Sequence, residues 1–199
     1  MKSVLIIGIG NFGKHLALKM QSLGNDVMIV DKDESAIEEL SPAMTDAQIG
    51  DCTNEAVLRS LGVNNFDICF VTIGDNFQAS LEITSLLKEL GAKHVVSKAS
   101  RDRQAKFLLR NGADEVVYPD KDIAEKLAIR SSVDNVFDYT DLTPEYSIFE
   151  IPVPENWIGY SIEKINVRRK YHISILATKQ DEAIMPMPKA DYIFKFEDH

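Results

Sequence analysis

Gly8, Gly10 and Gly13 follow directly on the apolar run Val4 to Ile7, and Asp31 closes a second such run in "VMIVDKD". That spacing suits phosphate and ribose chemistry. Gly8 permits a tight turn, Gly10 lets backbone approach a pyrophosphate, and Gly13 lets the next helix pack closely on a sheet. The helix opening at Asn11 and Phe12 would offer unpaired amides and a partial positive charge to the phosphates. Asp31, with Lys32 beside it, would accept hydrogen bonds from ribose hydroxyls and repel a 2′-phosphate, which disfavours NADP. A structural turn followed by a solvated, helix-capping aspartate is the competing reading of the same residues.

Other candidates sit at the ends of later apolar runs. "IGDCT" places Asp51 and Cys52 near the expected adenosine edge, although an isolated loop aspartate equally serves as a cap. "VTIGDNFQAS" brings Gly74, Asp75 and Asn76 to the same crevice, because ligands of such sheets lie outside the carboxyl ends of the strands. Lys98 would reach a phosphate as a point charge. Asp120 would hold a cation such as Mg2+ or Ca2+ beside a polyphosphate, or cap the next helix.

Acid–base chemistry finds no comparable constellation. The four histidines, His15, His94, His172 and His199, have no orienting partner at useful spacing, and there is no GxSxG, HExxH or paired Cys/His set. The pattern reads as a sensor rather than an enzyme. An NAD-dependent oxidoreductase and a stand-alone nucleotide-binding module are the alternatives.

The elements that would hold these residues are legible over the first 120 positions. Short β-branched runs at Val4 to Ile7, Val27 to Val30, Ala47 to Gly50, Ile68 to Ile73, His94 to Ser97 and Glu115 to Tyr118 alternate with helix-period stretches. Runs apolar on both faces imply strands covered by helices on both sides, a Rossmann-like doubly wound parallel sheet of the α/β class. Gly24, Gly62, Gly91 and Gly112 fall where helix C-caps are expected, and Asp33, Thr53 and Asp75 or Asn76 where N-caps are. After Phe137 the texture changes. The tail reads as a small α+β unit with strands near 147 to 153, 173 to 178 and 192 to 196 and a helix over 161 to 166. The expected division is a nucleotide domain over 1–138, a linker over 139–146 and a small domain over 147–199.

A net charge of -9 over 199 residues disfavours a nucleic-acid partner. Arg168, Arg169 and Lys170 form a basic cluster suited to one or two phosphates. No run of about 18 apolar residues occurs and no secretory leader is evident, so the expectation is a cytoplasmic protein. Cys52 and Cys69 lack CxxC spacing and suit packing in a reducing compartment.

Taken together, "GIGNFG", "VDKD", "IGDCT", "FVTIGDNFQAS", "VSKAS", "GADEVVYPDKDIAEKLA" and "PVPENWIGYSI" make the chain resemble the RCK proteins, regulators of potassium conductance of the KtrA and TrkA type. The resemblance runs over almost the whole chain. It implies an N-terminal domain binding ATP, ADP or NAD(H), and a C-terminal TrkA-C domain that pairs with its twin. It further implies dimers formed through the helices after the fifth and sixth strands. These would assemble into an octameric ring under an integral membrane potassium channel or transporter of KtrB/TrkH type, peripheral at the inner face of the membrane. Gly8, Gly10, Gly13, Asp31, Asp51, Gly74, Lys98 and Asp120 occupy the family's nucleotide positions. Asn11 stands where the family commonly has Arg, which puts discrimination between ATP and ADP in question and leaves Lys14 as a compensating cation. Relatives also bind cyclic di-AMP across a dimer interface. The matching residues are Ile165, Arg168 and His172 with Pro186 or Pro188, which equally read as a basic helix end meeting a strand. The family domain normally continues through one more strand and helix, so the resemblance implies a shortened C-terminal domain.

Overall fold

The computed structural model describes residues 1–132, 137–143, 145–181 and 183–199. The chain divides into two compact units, Met1–Ile123 and Ala124–His199.

In the first unit strands and helices alternate: β1 (Ser3–Ile7), α1 (Asn11–Ser22), β2 (Asp26–Asp31), α2 (Glu34–Leu40), β3 (Asp46–Ile49) and α3 (Glu55–Leu61). They continue with β4 (Ile68–Val71), α4 (Phe77–Glu89), β5 (Val95–Lys98), α5 (Asp102–Arg110) and β6 (Glu115–Val117), and α6 (Pro119–Ser132) follows. The six strands form one sheet in the order β3-β2-β1-β4-β5-β6, and every pairing is parallel. All six expected strands are present. The two-residue period of a strand explains why: Val4 and Ile6 join Val27, Ile29, Ala17, Ile37 and Leu40 on one face. Leu5 and Ile7 join Val30, Cys69, Val71, Leu58, Ile83 and Leu87 on the other. A strand apolar at every position is stable only where helices cover both sides.

β1 lies between β2 and β4, so the strand order reverses there and the loops leaving β1 and β4 splay apart. Side-chain caps start the helices beside that gap. Asp33 accepts from Ser35 N–H at 3.0 Å and Asn76 from Ala79 N–H at 3.1 Å. Thr53 does not cap α3; Asn54 does, accepting from Ala56 N–H, because Thr53 is turned to Asp51 by its N–H and hydroxyl.

Both cysteines are buried. Burial pushes the Cys69 thiol up to about 12, and burial, then the neighbouring Asp51 and Asp31 charges, does the same to Cys52. Both folded-state values lie above the unfolded ~8.5. The neutral thiols therefore contribute stability that is present below ~8.5 and lost as pH rises towards 12. At pH 8 iodoacetamide is expected to leave both unmodified in the native protein and to label both after urea unfolding, read by intact mass; rapid native labelling would refute it.

The second unit departs from the expected tail. β7 (Asp138–Thr143) and β8 (Tyr146–Glu150) pair antiparallel, Tyr139 opposite Phe149, so most of the stretch expected as a linker at 139–146 is strand. Thr143 Oγ1 accepts from the Glu145 and Tyr146 N–H groups and closes the turn. β8 ends before Pro152, which has no N–H to donate to a ladder. A helix is present as α7 (Ile162–Ile165), followed by α8 (Val167–Tyr171). His172 takes φ 58 and ends α8. β9 (Ala177–Gln180) starts four residues later than the expected strand at 173 and pairs antiparallel with β10 (Ala183–Pro186). The strand expected at 192–196 is reduced to one bridge, Ser161 to Ile193. The Asp198 carboxylate draws that segment into a turn by accepting from Lys195 N–H and Tyr192 O–H. Trp157, Val167 and Phe194 form the small core.

Candidate functional site

A cavity of about 680 Å³ opens at the carboxyl ends of β1 to β4. Of the expected residues, Gly8, Gly10, Asp31, Lys32, Asp51, Cys52, Gly74, Asp75 and Asn76 line it. Three glycines have three separate physical tasks there. Gly8 has φ +95, the left-handed region that favours glycine, and its Cβ would stand 2.8 Å from Ile73 Cγ1. A Cβ on Gly13 would overlap the Gly8 carbonyl oxygen and stand 2.7 Å from Thr72 Oγ1. Thr72 meanwhile donates its hydroxyl to that same Gly8 carbonyl and its N–H to Ile7 O, tying the β4 end to the loop. At Gly10 a Cβ would meet nothing within 4 Å. Backbone is thus bare at the head of α1, where the first N–H groups have no intrahelical partner.

Asp31 stands at the end of β2 with its carboxylate turned to this loop. One oxygen accepts from Ile9 N–H and the other from Asp33 N–H at 2.9 Å. Each carboxylate oxygen keeps a further lone pair for a hydroxyl. Asp51 accepts from the Thr53 hydroxyl and N–H, and these hold its carboxyl below the usual carboxylate range. With Asp31 replaced by Asn, one oxygen must serve where two did, and the amide would point a donor at a backbone N–H. Asp31→Asn is expected to cost about 1–3 kcal/mol of stability in a urea melt; an unchanged midpoint would refute it.

The remaining expected residues lie outside the lining. Asn11 is exposed at the start of α1, and Gly13 is buried behind the loop. Phe12 and Lys98 face each other, the Lys98 Nζ 5.7 Å from the ring centroid. The same amine would stand 3.4 Å from a Cβ on Gly74. The Lys14 ammonium, on the first turns of α1, is ion-paired with Glu39 of α2. Asp120 is exposed in the first turn of α6. Among the described residues no group of three or more His, Cys, Asp or Glu is placed to hold a metal ion. The titratable groups on the cavity are Asp31, Asp33, Asp51, Asp75, Glu82, Lys32 and the Cys52 thiol.

Sequence reasoning missed the wall supplied by α4, where Gln78, Ala79, Glu82 and Ile83 line the cavity. Their helical spacing one turn after the Asn76 cap was the available signal. A helix face turned to an open crevice carries the same mixed composition as one turned to bulk water.

In the second unit Ile165 is half-buried against the small core, while Arg168 and His172 are exposed. Pro186 is exposed at the end of β10 and Pro188 is half-buried beyond it. A recess of about 220 Å³ takes in Ile165 with Trp157, Tyr160, Lys164 and Tyr171, but not Arg168, His172, Pro186 or Pro188.

Sheet order, switch-point cavity and glycine loop place the molecule in the Rossmann-like class of doubly wound α/β proteins. The TrkA-N domain model matches residues 4–119. Ktr system potassium uptake proteins C and A of Bacillus subtilis are each 37% identical over 197 residues, covering 99% of this chain and 89% of theirs. Among solved structures, the GsuK channel bound to NAD superposes with a TM-score of 0.69 at 15% identity, covering 99% of this chain and 36% of that one. The chain belongs to the TrkA-N, or RCK, family of potassium-uptake proteins of the Ktr type.

Proposed function

We propose that the protein is the nucleotide-sensing regulatory subunit of a potassium channel or transporter and catalyses no reaction. An adenine nucleotide, ATP, ADP or NAD(H), occupies the crevice: phosphates at the bare backbone of Gly10 and the head of α1, ribose on Asp31, adenine between the Gly50–Thr53 loop and α4. Occupancy shifts the balance between two states of a homo-oligomeric ring by its differential affinity for them, and the ring controls K+ flux through an integral membrane partner. The observation that carries this reading is the match to potassium uptake proteins along 99% of the chain. The crevice supports it, and so does the GsuK channel, a neighbour bound to NAD.

Self-association through α5 and α6 belongs to the same proposal. Phe107 and Leu109 on α5 and Ile123, Leu127 and Ile129 on α6 are exposed, and α6 buries none of its residues. Such apolar faces suit contact with a second copy. Among the described residues no helix is long and apolar enough to cross a membrane, in keeping with a peripheral role at the inner face. Calorimetric titration with AMP, ADP, ATP, NAD+ and NADH is expected to show saturable binding of at least one. Mass photometry should show dimers or larger rings, and potassium flux in vesicles carrying the membrane partner should change with nucleotide. Absence of heat with all five would overturn the sensing role.

A further inference from the structure

Basic side chains elsewhere in the protein find acids, as Lys14 does with Glu39, Lys88 with Asp114 and Lys179 with Glu150. One stretch of the second unit departs from this. Between positions 156 and 178 the sequence has a single acid, Glu163, against Lys164, Arg168, Arg169 and Lys170. All four cations are exposed, and none has a carboxylate partner among the described residues. Like charges on neighbouring helical turns repel, and a facing carboxylate would relieve the strain. With 31 acids to 22 Lys and Arg, the chain still brings none to them.

The small core fixes the backbone that carries them. Val167 is buried with Trp157 and Phe194, and Asn166 joins α7 to α8 in the left-handed conformation, φ 57. Lys164 and Lys170 line the recess of about 220 Å³, together with Trp157, Tyr160 and Tyr171. Lys164 Nζ stands 4.5 Å from the Tyr160 ring centroid and Lys170 Nζ 5.2 Å from that of Tyr171. Both tyrosines are exposed. A ring face holds an ammonium without supplying a lone pair, so N–H donors remain for acceptor oxygens from outside.

Lysine set against tyrosine suits a membrane–water interface, the ring at headgroup level and the ammonium on phosphate oxygens. Four cations without a facing acid also match the size of a tract that anionic lipid attracts. Single-stranded nucleic acid uses the same residue types but needs a groove tracking several nucleotides, and here the tract covers two helices of four and five residues beside one recess. We propose that this face of the second unit, Lys164, Arg168, Arg169 and Lys170 with Tyr160 and Tyr171, docks on an anionic phospholipid surface. The net charge of -9 opposes adsorption through the rest of the chain, so attraction is confined to this face. The inference goes beyond the nucleotide reading and stands independently of it.

The test mixes the full chain with vesicles of phosphatidylcholine, with and without phosphatidylglycerol, and reads energy transfer from Trp157, the single tryptophan, to a dansyl headgroup lipid. Saturable transfer is expected only with phosphatidylglycerol present, weakening as salt rises. The double variant Lys164→Ala, Lys170→Ala, checked for native circular dichroism, should need roughly thirtyfold more lipid for half-saturation. It leaves Arg168 and His172 in place, so it does not disturb the residues matched to cyclic di-AMP. Lys2→Ala with Lys19→Ala removes the same charge from exposed positions of the first unit and should change nothing. Binding to neither vesicle, equal binding to both, or a Lys164 and Lys170 variant that binds like the parent would overturn the inference. So would displacement from the vesicles by millimolar inorganic phosphate at constant ionic strength, or a single-stranded oligonucleotide bound as tightly as the lipid. A failed nucleotide titration leaves this result standing, and a failed vesicle assay leaves the nucleotide reading standing.

Discussion

Gly13→Ala is expected to destabilise the first unit by about 3 kcal/mol, as forced overpacking does in a close-packed site. Two effects oppose each other. Alanine inside a helix is intrinsically better than glycine by about 1 kcal/mol, which alone would make the variant more stable. The added Cβ, however, overlaps the Gly8 carbonyl oxygen and crowds Thr72 Oγ1, the two atoms joined by the hydrogen bond that ties the β4 end to the glycine loop. Neither is the far end of a flexible side chain. α1 must therefore lift from the sheet, and that cost exceeds the propensity gain. Urea melts followed by far-ultraviolet circular dichroism measure it. Tryptophan fluorescence reports the wrong unit, since the single Trp157 lies in the core of the second. A variant as stable as the parent would show that α1 does not sit as closely on the β1 and β4 loops as the structure has it.

Gly10→Val should behave in the opposite way. Gly10 has φ -75 and ψ -175, extended backbone that valine adopts readily, and nothing lies within 4 Å of where its Cβ would be. Stability should stay within about 0.5 kcal/mol of the parent. Nucleotide affinity should fall about a hundredfold or more, or ~2.7 kcal/mol, because the side chain fills the space that phosphates need in order to reach the helix amides. Calorimetry on the folded variant reads the loss. Unchanged affinity would mean that the ligand does not use the head of α1. The two substitutions, three positions apart in one motif, thus separate a glycine needed by the fold from one needed by the ligand.

Much of the first unit was legible from contiguous residues. A strand buried on both faces must be apolar at successive positions, and Val4 to Ile7 and Val27 to Val30 are; no surface strand would tolerate that. The glycine loop and Asp31 were legible for a similar reason, since each position answers a local steric or hydrogen-bonding demand. Local reasoning failed where two residues compete for one role. Thr53 and Asn54 both suit an N-cap, and the choice fell to Asn54 because Asp51 engages Thr53. The tail was legible only in part: β8 and α7 fall at the strand expected near 147 to 153 and the helix expected over 161 to 166, but the other elements differ. Its strands are short and exposed, so alternation carries little signal, and the run at 192–196 meets the 159–162 segment through a single bridge and a few backbone hydrogen bonds rather than a full ladder.

The order of elements, the hand and class of the sheet and the place of the glycine loop follow from the chain alone, because backbone preference and burial period act over a few neighbouring residues. Charge placement does not. Lys14 reads as a cation at the head of α1 until α2 brings Glu39 to it across 25 positions. Gln78 and Glu82 carry no local mark of a ligand wall, and only the fold sets them beside the crevice. Electrostatic partners act through space, across distances along the chain that no local pattern records, and so the balance of charge in the crevice emerged with the folded form.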